Sequence, residues 1–240
     1  MKRILSVFSV VAAVLAMMCT ASCDEATNYT KGYRDGIYKV WGHTVTPELE
    51  DTSYVVGDVS SYGLKNGDRA LLRVKYFIDN VFGPSKAKWE VEKVYEVIEP
   101  RAITAGDDIA EGDYRSCILG LANLLYYGPA WAWDGLQNIN IAYECDGTEP
   151  EFRMVAPQAN GDTLCLSLVS RINSGDERYV KLLSFDLNSA YPLLGSEERN
   201  AISRYDSIYT KIKLRWYDPD EEAPVDADII GGKLKNPFKD

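Results

Sequence analysis

Apolar and polar residues alternate along two neighbouring stretches in the first half of the chain, residues 70–79 (ALLRVKYFID) and 89–99 (WEVEKVYEVIE). The apolar set of the first stretch is Leu72, Val74, Tyr76 and Ile78, and that of the second is Trp89, Val91, Tyr95 and Val97. Successive side chains of a strand point to opposite faces, so each stretch is predicted to be a half-buried strand. A helix over 89–99 is the alternative, but the recurring valines favour a strand.

The second half of the chain carries further strand-like runs. They occupy residues 138–145, 162–171, 180–187 and 207–218. Between them, SEERNAIS predicts one short helical turn that is capped by Ser196, with Glu197 and Glu198 in its first turn. Many short strands and almost no long helix predict an all-β chain, built as a sandwich or a barrel.

Composition divides the chain into segments. Residues 23–36 are polar and predict a flexible tether, and residues 218–240 predict an acidic, mostly mobile tail. Between them we expect one domain over 37–104 and a second over 105–217. The charge is uneven, because residues 24–103 carry 11 basic and 13 acidic side chains and residues 104–240 carry 13 and 23. This difference supports two domains.

The N-terminus has the pattern of a secretory signal. Lys2 and Arg3 precede an apolar run of 15 residues from Ile4 to Met18, which is shorter than the roughly 20 residues that span a bilayer as a helix. Small residues then lead up to Cys23, so we expect residues 1–22 to be cleaved. A retained membrane anchor and an ordinary cut after Ala21 are the alternatives.

Residues 20–23, TASC, resemble the lipobox of bacterial lipoproteins. The resemblance implies that the Cys23 sulfur receives a diacylglyceryl group and that Cys23 becomes the new N-terminus. Each buried CH₂ contributes about 0.8 kcal/mol, and two or more chains hold a protein stably on a membrane. The resemblance therefore implies an outer membrane lipoprotein. Asp24 and Glu25 are similar to a surface-export signal, and both the periplasmic side and the cell surface stay open.

Several segments together resemble the NigD-like lipoprotein family of Bacteroides-type bacteria. They are NGDRALLRVKYFI (66–78), VEKVYEVIEPRAIT (91–104), WDGLQNINIAYE (133–144), DTLCLSLVSR (162–171) and KLLSFDL (181–187). The resemblance implies a small N-terminal OB-like barrel followed by a C-terminal antiparallel β-sandwich. It brings no catalytic residues, and the family's name is associated only with a gene that neighbours a bacteriocin.

Aromatic residues are concentrated in YYGPAWAW, residues 126–133. If they are exposed, Tyr126, Tyr127, Trp131 and Trp133 could stack on sugar rings or anchor a protein partner. The alternation in AWAW places both tryptophans on one side of a strand, which favours a place in the core.

The charged, histidine and cysteine residues restrict the other kinds of chemistry. Without residues 1–22 the net charge is −12, which makes nucleic acid a poor partner, although Arg69, Arg73, Lys75, Lys86 and Lys88 cluster in the barrel segment. His43 is the only histidine and there is no CxxC motif, so we expect no zinc site and no Ser-His-Asp triad. The acidic residues at 218–222 could bind calcium, and Asp107 and Asp108 could serve as a glycosidase pair. For both groups the alternative is an ordinary acidic loop. Cys117, Cys145 and Cys165 allow at most one internal disulfide, whose pairing stays open.

The sequence therefore predicts a non-catalytic envelope lipoprotein, without metal or cofactor, that presents two β domains to a protein or glycan partner. A carbohydrate-active or glycan-binding protein and a bacteriocin-associated self-protection protein are the alternatives.

Overall fold

The structure, a computed structural model, describes residues 29–50, 52–79, 83–106, 118–123, 128–170, 175–218 and 223–239. The predicted signal with Cys23, and the residues Asp107, Asp108, Cys117, Tyr126 and Tyr127, lie outside the described ranges. Contacts between residues divide the chain into two units, residues 1–97 and 98–240. Among the described residues, no helix has the length and apolar character needed to cross a bilayer.

The N-terminal unit holds one five-stranded antiparallel sheet with the order β3-β2-β1-β4-β5. Its strands are β1 (Tyr29–Trp41), β2 (Thr44–Pro47), β3 (Tyr54–Val55), β4 (Arg69–Asp79) and β5 (Gly83–Val97). A turn at Gly42 and His43 joins β1 to β2, and Asn66 and Gly67 form the turn that precedes β4. The inner face of the sheet and the segment between β3 and β4 together form a core from Tyr38, Val40, Val45, Val59, Leu64, Ala70, Leu72, Val74 and Val91.

Aromatic side chains bring the two edges of this sheet together. The rings of Tyr54 on β3 and Trp89 on β5 stack with centroids 3.9 Å apart, although these strands are opposite edges in the strand order. Tyr76 lies 5.1 Å from Trp89 and packs on Gly32, where a Cβ would come within 2.2 Å of the Tyr76 ring. The sheet is therefore curled into a half-barrel closed by rings. Its assignment to the OB fold stays a prediction.

Ion pairs also link elements of the N-terminal unit. Glu48 and Arg69 form a salt bridge with both side chains buried. Arg34 pairs with Glu50 and also donates to the Tyr54 hydroxyl at 3.1 Å, which ties β1 to the edge strand β3. Charged side chains thus take part in closing the curled sheet.

The C-terminal unit contains two sheets that share one core. One sheet has the order β10-β11-β13-β14, and the other has the order β6-β12-β9-β7, with β8 also paired to β9. The strands are β6 (Arg101–Ala102), β7 (Ile118–Leu121), β8 (Ala130–Trp133), β9 (Leu136–Cys145), β10 (Phe152–Asn160), β11 (Thr163–Ser170), β12 (Glu177–Asp186), β13 (Ser207–Asp218) and β14 (Ala223–Lys235). Ile139 and Phe185 of one sheet and Leu166 and Ile212 of the other belong to the same buried cluster, as expected for a sandwich.

The prediction of an all-β chain is confirmed, and the structure adds two parallel pairings, β11 with β13 and β6 with β12. The chain between β11 and β13 passes through β12 of the opposite sheet, a 3-10 segment (Leu187–Leu193) and helix α1 (Ser196–Ile202). That long connection allows a parallel pair, which a tight hairpin cannot make. Helix α1 matches the predicted turn, but its N-cap is Gly195, whose N–H donates to Glu198 at 2.8 Å.

The structure corrects the predicted tail over 218–240. Residues 223–235 form β14, which pairs with β13 from Ser207 to Asp218. Leu234 and Asn236 are buried, and Asn236 donates to the carbonyls of Ile202 and Tyr205 at 2.8 Å. The acidic, glycine-containing composition suggested disorder, but backbone pairing with a long neighbouring strand orders this segment.

The predicted tether and first domain boundary are also corrected. Residues 29–36 belong to β1 and pair with β4, so the strand begins within the segment predicted to be flexible. Arg101 and Ala102 pair with β12, and Ile103 lies in the C-terminal core. Residues 98–104 therefore belong to the second unit, because their backbone partners and their core are there.

Candidate functional site: a cation–aromatic face

Strands β1, β4 and β5 present an outer face on which cations and aromatic rings are neighbours. We define the cation–aromatic face by Lys31, Tyr33, Asp35, Arg73, Lys75, Phe77, Lys93 and Tyr95. The register aligns Asp35, Arg73 and Lys93 across the three strands, and Tyr33 lies opposite Lys75 in the next row. Because neighbouring strands are about 4.8 Å apart, side chains of one row can contact each other.

The first row is organised by a two-pronged ion pair. Arg73 donates from Nε to Oδ1 of Asp35 and from Nη2 to Oδ2, both at 2.8 Å. The hydrogen bonds from Arg73 hold the pKa of Asp35 below its ordinary value. This carboxylate therefore stays charged at neutral and at mildly acidic pH. This planar arrangement fixes the guanidinium on an otherwise open sheet.

Tyr95 connects this ion pair to a second cation. Its hydroxyl donates to Oδ1 of Asp35 at 3.4 Å, and its ring lies 5.8 Å from the Arg73 guanidinium carbon. Lys93 places its Nζ 4.6 Å from the centre of the same ring. A 39% exposed tyrosine is thus held between two cations, which fixes its orientation before any partner arrives.

The rest of the face repeats this combination. Lys31 lies 5.5 Å from the Tyr33 ring and Lys75 lies 4.7 Å from the Phe77 ring. Tyr33 is 49% exposed and therefore offers a large part of its ring to solvent. None of the eight side chains is a thiol, an imidazole or an aliphatic hydroxyl. The face is suited to stacking, hydrogen bonding and charge pairing.

Sequence alternation placed Tyr95 on the wrong side of β5. The register of β4 and β5 shifts between Arg73 and Val74 and again between Leu71 and Leu72. Each irregularity inserts an unpaired position into β5, so strict alternation fails after Val91, and Val94 packs against the core instead. A bulge of this kind leaves no signal in a pattern of period two.

The predicted aromatic site is not suited to stacking at Trp131. Trp131 on β8 is only 5% exposed, and Trp133 is half-buried. A sugar needs an open ring face, so the structure corrects the stacking role suggested for Trp131. Tyr126 and Tyr127 lie outside the described residues.

The remaining sequence candidates are dispersed. Arg73, Lys75 and Lys88 do belong to the outer side of the N-terminal sheet, whereas Arg69 is buried with Glu48. His43 is exposed in the β1–β2 turn, and Cys145 and Cys165 are free thiols. Over the described ranges, no group of three or more His, Cys, Asp or Glu side chains is arranged to hold a metal ion.

Comparison with solved structures identifies the same fold in proteins of Bacteroides and Parabacteroides species. A NigD-like immunity protein from Bacteroides caccae has a TM-score of 0.51 at 14% identity, with 83% of this chain and 97% of that chain covered. A protein described as toxin-related from Parabacteroides distasonis has a TM-score of 0.52 at 12% identity, covering 86% and 96%. A candidate lipoprotein from Bacteroides fragilis has a TM-score of 0.54 at 12% identity, covering 85% and 98%.

These comparisons confirm the resemblance to NigD-like proteins at the level of the fold. No protein-family model and no curated protein sequence matches the chain. Sequence identities of 12–14% show a shared fold but do not show a shared function.

Proposed function

We propose that this protein is a non-catalytic, lipid-anchored envelope protein that binds a protein partner through the cation–aromatic face. The anchor is the Cys23 sulfur, which the TASC sequence suggests and which agrees with a lipoprotein among the proteins of the same fold. The observation that carries the proposal is the row of Asp35, Arg73 and Lys93 with Tyr95 held beside it.

The composition of the face favours a protein over other partners. Tyrosine, tryptophan and arginine are enriched at protein interfaces and dominate their binding energy. Tyr33 and Tyr95 are exposed here, and Trp41 at the end of β1 is 47% exposed with Lys39 5.0 Å from its ring. Rings held by cations lose little side-chain entropy on binding, so the face is pre-organised for contact.

A glycan partner is less favoured. Sugar binding would depend on open aromatic platforms, and Trp131 lacks one. On the cation–aromatic face the rings are already covered in part by lysine and arginine side chains. A protein surface with carboxylates can pair with those cations while its apolar groups contact the ring edges.

In-cell photo-crosslinking tests the binding face. A benzophenone amino acid replaces Tyr33, and a matched control variant carries it at Tyr205 of the C-terminal unit, which is 41% exposed. We expect a discrete crosslinked protein from position 33 only, and we expect Arg73→Glu in the same chain to abolish it. Equal crosslinking from both positions, or crosslinking at 33 that survives Arg73→Glu, would contradict a specific face.

Metabolic labelling with a clickable fatty acid tests the anchor separately. The full chain should be labelled and should fractionate with membranes, whereas Cys23→Ala should lose both properties. A Cys19→Ala variant is the matched control, because it alters the neighbouring cysteine of the leader. Label that persists in Cys23→Ala would remove the lipid anchor from the proposal.

Protection against a toxin is the second candidate, and it is motivated by the immunity protein of the same fold. In that case the partner would be a toxin. Deletion of the gene should then sensitise the cells, and a chain with Arg73→Glu should fail to restore resistance. Unchanged sensitivity after deletion would end this candidate and would leave the binding proposal standing.

A further inference from the structure

A pocket of about 360 Å³ opens on the outer face of the sheet formed by β10, β11, β13 and β14. Its polar lining includes Gln158, Cys165, Ser167, Lys211, Lys213 and Asp228. Leu164, Leu166 and Leu168 of β11 and Ile212 and Leu214 of β13 are in the core, so Cys165, Ser167 and Lys213 between them face outward. The volume falls at the lower end of the range of small-ligand sites.

An irregularity in the edge strand shapes this pocket. The register of β10 and β11 shifts between Val155 and Gln158, and Ala156 adopts a left-handed backbone with φ of 50°. Non-glycine residues rarely take this conformation, which is a feature of bulges that redirect a strand. The bulge borders the pocket, whose floor consists of the short Cys165 and Ser167 side chains. The longer lysines of β13 stand beside this floor.

The charge of the pocket contrasts with that of its surroundings. Residues 98–240 carry 14 basic and 24 acidic side chains, yet the pocket lining has two ammonium groups and one carboxylate. Nζ of Lys211 lies 2.6 Å from Oδ2 of Asp228, and this hydrogen bond raises the pKa of Lys211, so that its ammonium stays charged. A local concentration of lysines in an acidic unit favours an anionic ligand.

We propose that this pocket binds a small organic molecule that carries a carboxylate or phosphate group. The Lys211 and Lys213 ammonium groups hold the anionic oxygens, and Ser167 and Gln158 provide hydrogen bonds to neutral polar groups. Ala156 contributes apolar surface for the rest of the molecule. This site is independent of the cation–aromatic face, which lies in the other unit.

Cys165 serves as a reporter inside the pocket. The purified mature chain is alkylated in parallel with iodoacetate and iodoacetamide, and modification of the Cys165 peptide is followed by mass spectrometry. Both reagents react with the thiolate. The ratio of the iodoacetate rate to the iodoacetamide rate therefore does not depend on the fraction of the thiol that is ionised. We expect this ratio to be about fivefold higher in the folded chain than in urea, the rate factor given by attraction between unit charges about 4 Å apart in water.

Three variants distinguish an effect of the charges in the pocket from an effect of surface charge in general. Lys213→Met should lower the ratio towards that of the unfolded chain, and Asp228→Asn should raise it. Lys233→Met is the matched control, because Lys233 is exposed on β14 of the same sheet but does not line the pocket. It should leave the ratio unchanged.

Inorganic phosphate provides a binding readout. It should slow the alkylation of Cys165 by both reagents in the wild-type chain and should have no effect in a Lys211→Met, Lys213→Met double variant. A ratio equal to that in urea, an equal response to Lys233→Met and Lys213→Met, or the absence of phosphate protection would each overturn the proposal. Circular dichroism of every variant identifies any that fails to fold, and Asp228→Asn then tests the opposite sign.

Discussion

The two units close their cores by different physical means. In the C-terminal unit two sheets cover each other, so that apolar residues such as Phe185 and Leu166 are buried from both sides. The N-terminal unit has one sheet, which must cover itself by curling. Its edges meet through the Tyr54–Trp89 stack rather than through a second sheet. A small unit with little apolar surface to bury thus depends on specific side-chain contacts.

Charged residues differ in the same way between the two units. Glu48 and Arg69 of the N-terminal unit are buried together, and Arg34 reaches across to Glu50 and Tyr54. In the C-terminal unit, pairs such as Arg178–Glu144 and Lys239–Asp206 lie on the surface. Exposed pairs contribute little to stability, whereas loss of one member of a buried pair is costly. Ion pairs should therefore matter far more in the first unit.

The largest expected effect comes from breaking the buried pair. Arg69→Met leaves the Glu48 carboxylate in a buried environment without its guanidinium, which should lower the free energy of unfolding by about 3–5 kcal/mol. Urea denaturation followed by circular dichroism measures this loss. Lys239→Met, which breaks an exposed pair of the other unit, should change stability far less.

A double variant distinguishes the charge from the packing. Glu48→Leu with Arg69→Met removes both charges, so it should recover most of the stability that Arg69→Met loses. If the double variant is as unstable as the single one, then packing around Arg69 rather than the loss of the charge pair explains the loss of stability.

Strands with regular alternation could be predicted from the sequence. In β4, β11 and β13 the apolar positions Leu72, Leu166 and Ile212 are all in the cores, because each strand has one face on a core and one on solvent. Gly42 and Gly67 lie in turns of the same unit and both have positive φ, a conformation that glycine adopts without strain. Residues 223–235 were missed because their composition is polar, while their order comes from pairing with β13.

The candidate face could be predicted only in part. Alternation along β4 predicts that Arg73 and Lys75 lie on the side opposite to its apolar set, and the structure has them on this outer side. Asp35 was assigned to a tether and Tyr95 to the core, because partners 38 residues apart and bulges in β5 are properties of the register. No local pattern encodes which strand lies beside which. The fold class was therefore accessible, but the contacts of the site were not.

The next effect tests how firmly the end of the chain is held in the C-terminal unit. Asn236→Ala removes the hydrogen bonds to the carbonyls of Ile202 and Tyr205 and the one accepted from the Phe238 N–H, which should lower the free energy of unfolding by about 1–3 kcal/mol. Lys235→Ala at the exposed neighbouring position should stay within about 0.5 kcal/mol of the wild type. Equal stabilities of the two variants would restore the interpretation of this segment as a loosely attached tail.

A smaller effect tests the aromatic closure of the N-terminal sheet. In a double-mutant cycle with Tyr54→Leu and Trp89→Leu, the coupling energy between the two rings should be about 0.5–1.5 kcal/mol. The equivalent cycle on Tyr143 and Phe152, whose rings meet at 5.1 Å in the sandwich core, is the control from the other unit. There the surrounding apolar residues also hold the rings in place. A negligible coupling between Tyr54 and Trp89 would mean that the curl does not depend on their stack.

The smallest effect is the pH dependence of the Asp35–Arg73 pair on the cation–aromatic face. Because the hydrogen bonds from Arg73 lower the pKa of Asp35 from its ordinary value of 3.8, the pair stabilises the folded chain above that pH. The stabilisation is lost as the pH falls from about 3.8 through the lower folded value. Arg73→Met should thus be less stable than the wild type at neutral pH, and this difference in stability should disappear in strong acid.

Urea denaturation between neutral pH and strong acid measures the difference in stability, and NMR titration of the Asp35 carboxyl measures its pKa. Lys93→Met is the control, because Lys93 contacts the Tyr95 ring and makes a smaller contribution to the Asp35 pKa. A difference in stability that stays constant down to strong acid would show that Arg73 acts by packing on Tyr95 rather than by holding the carboxylate.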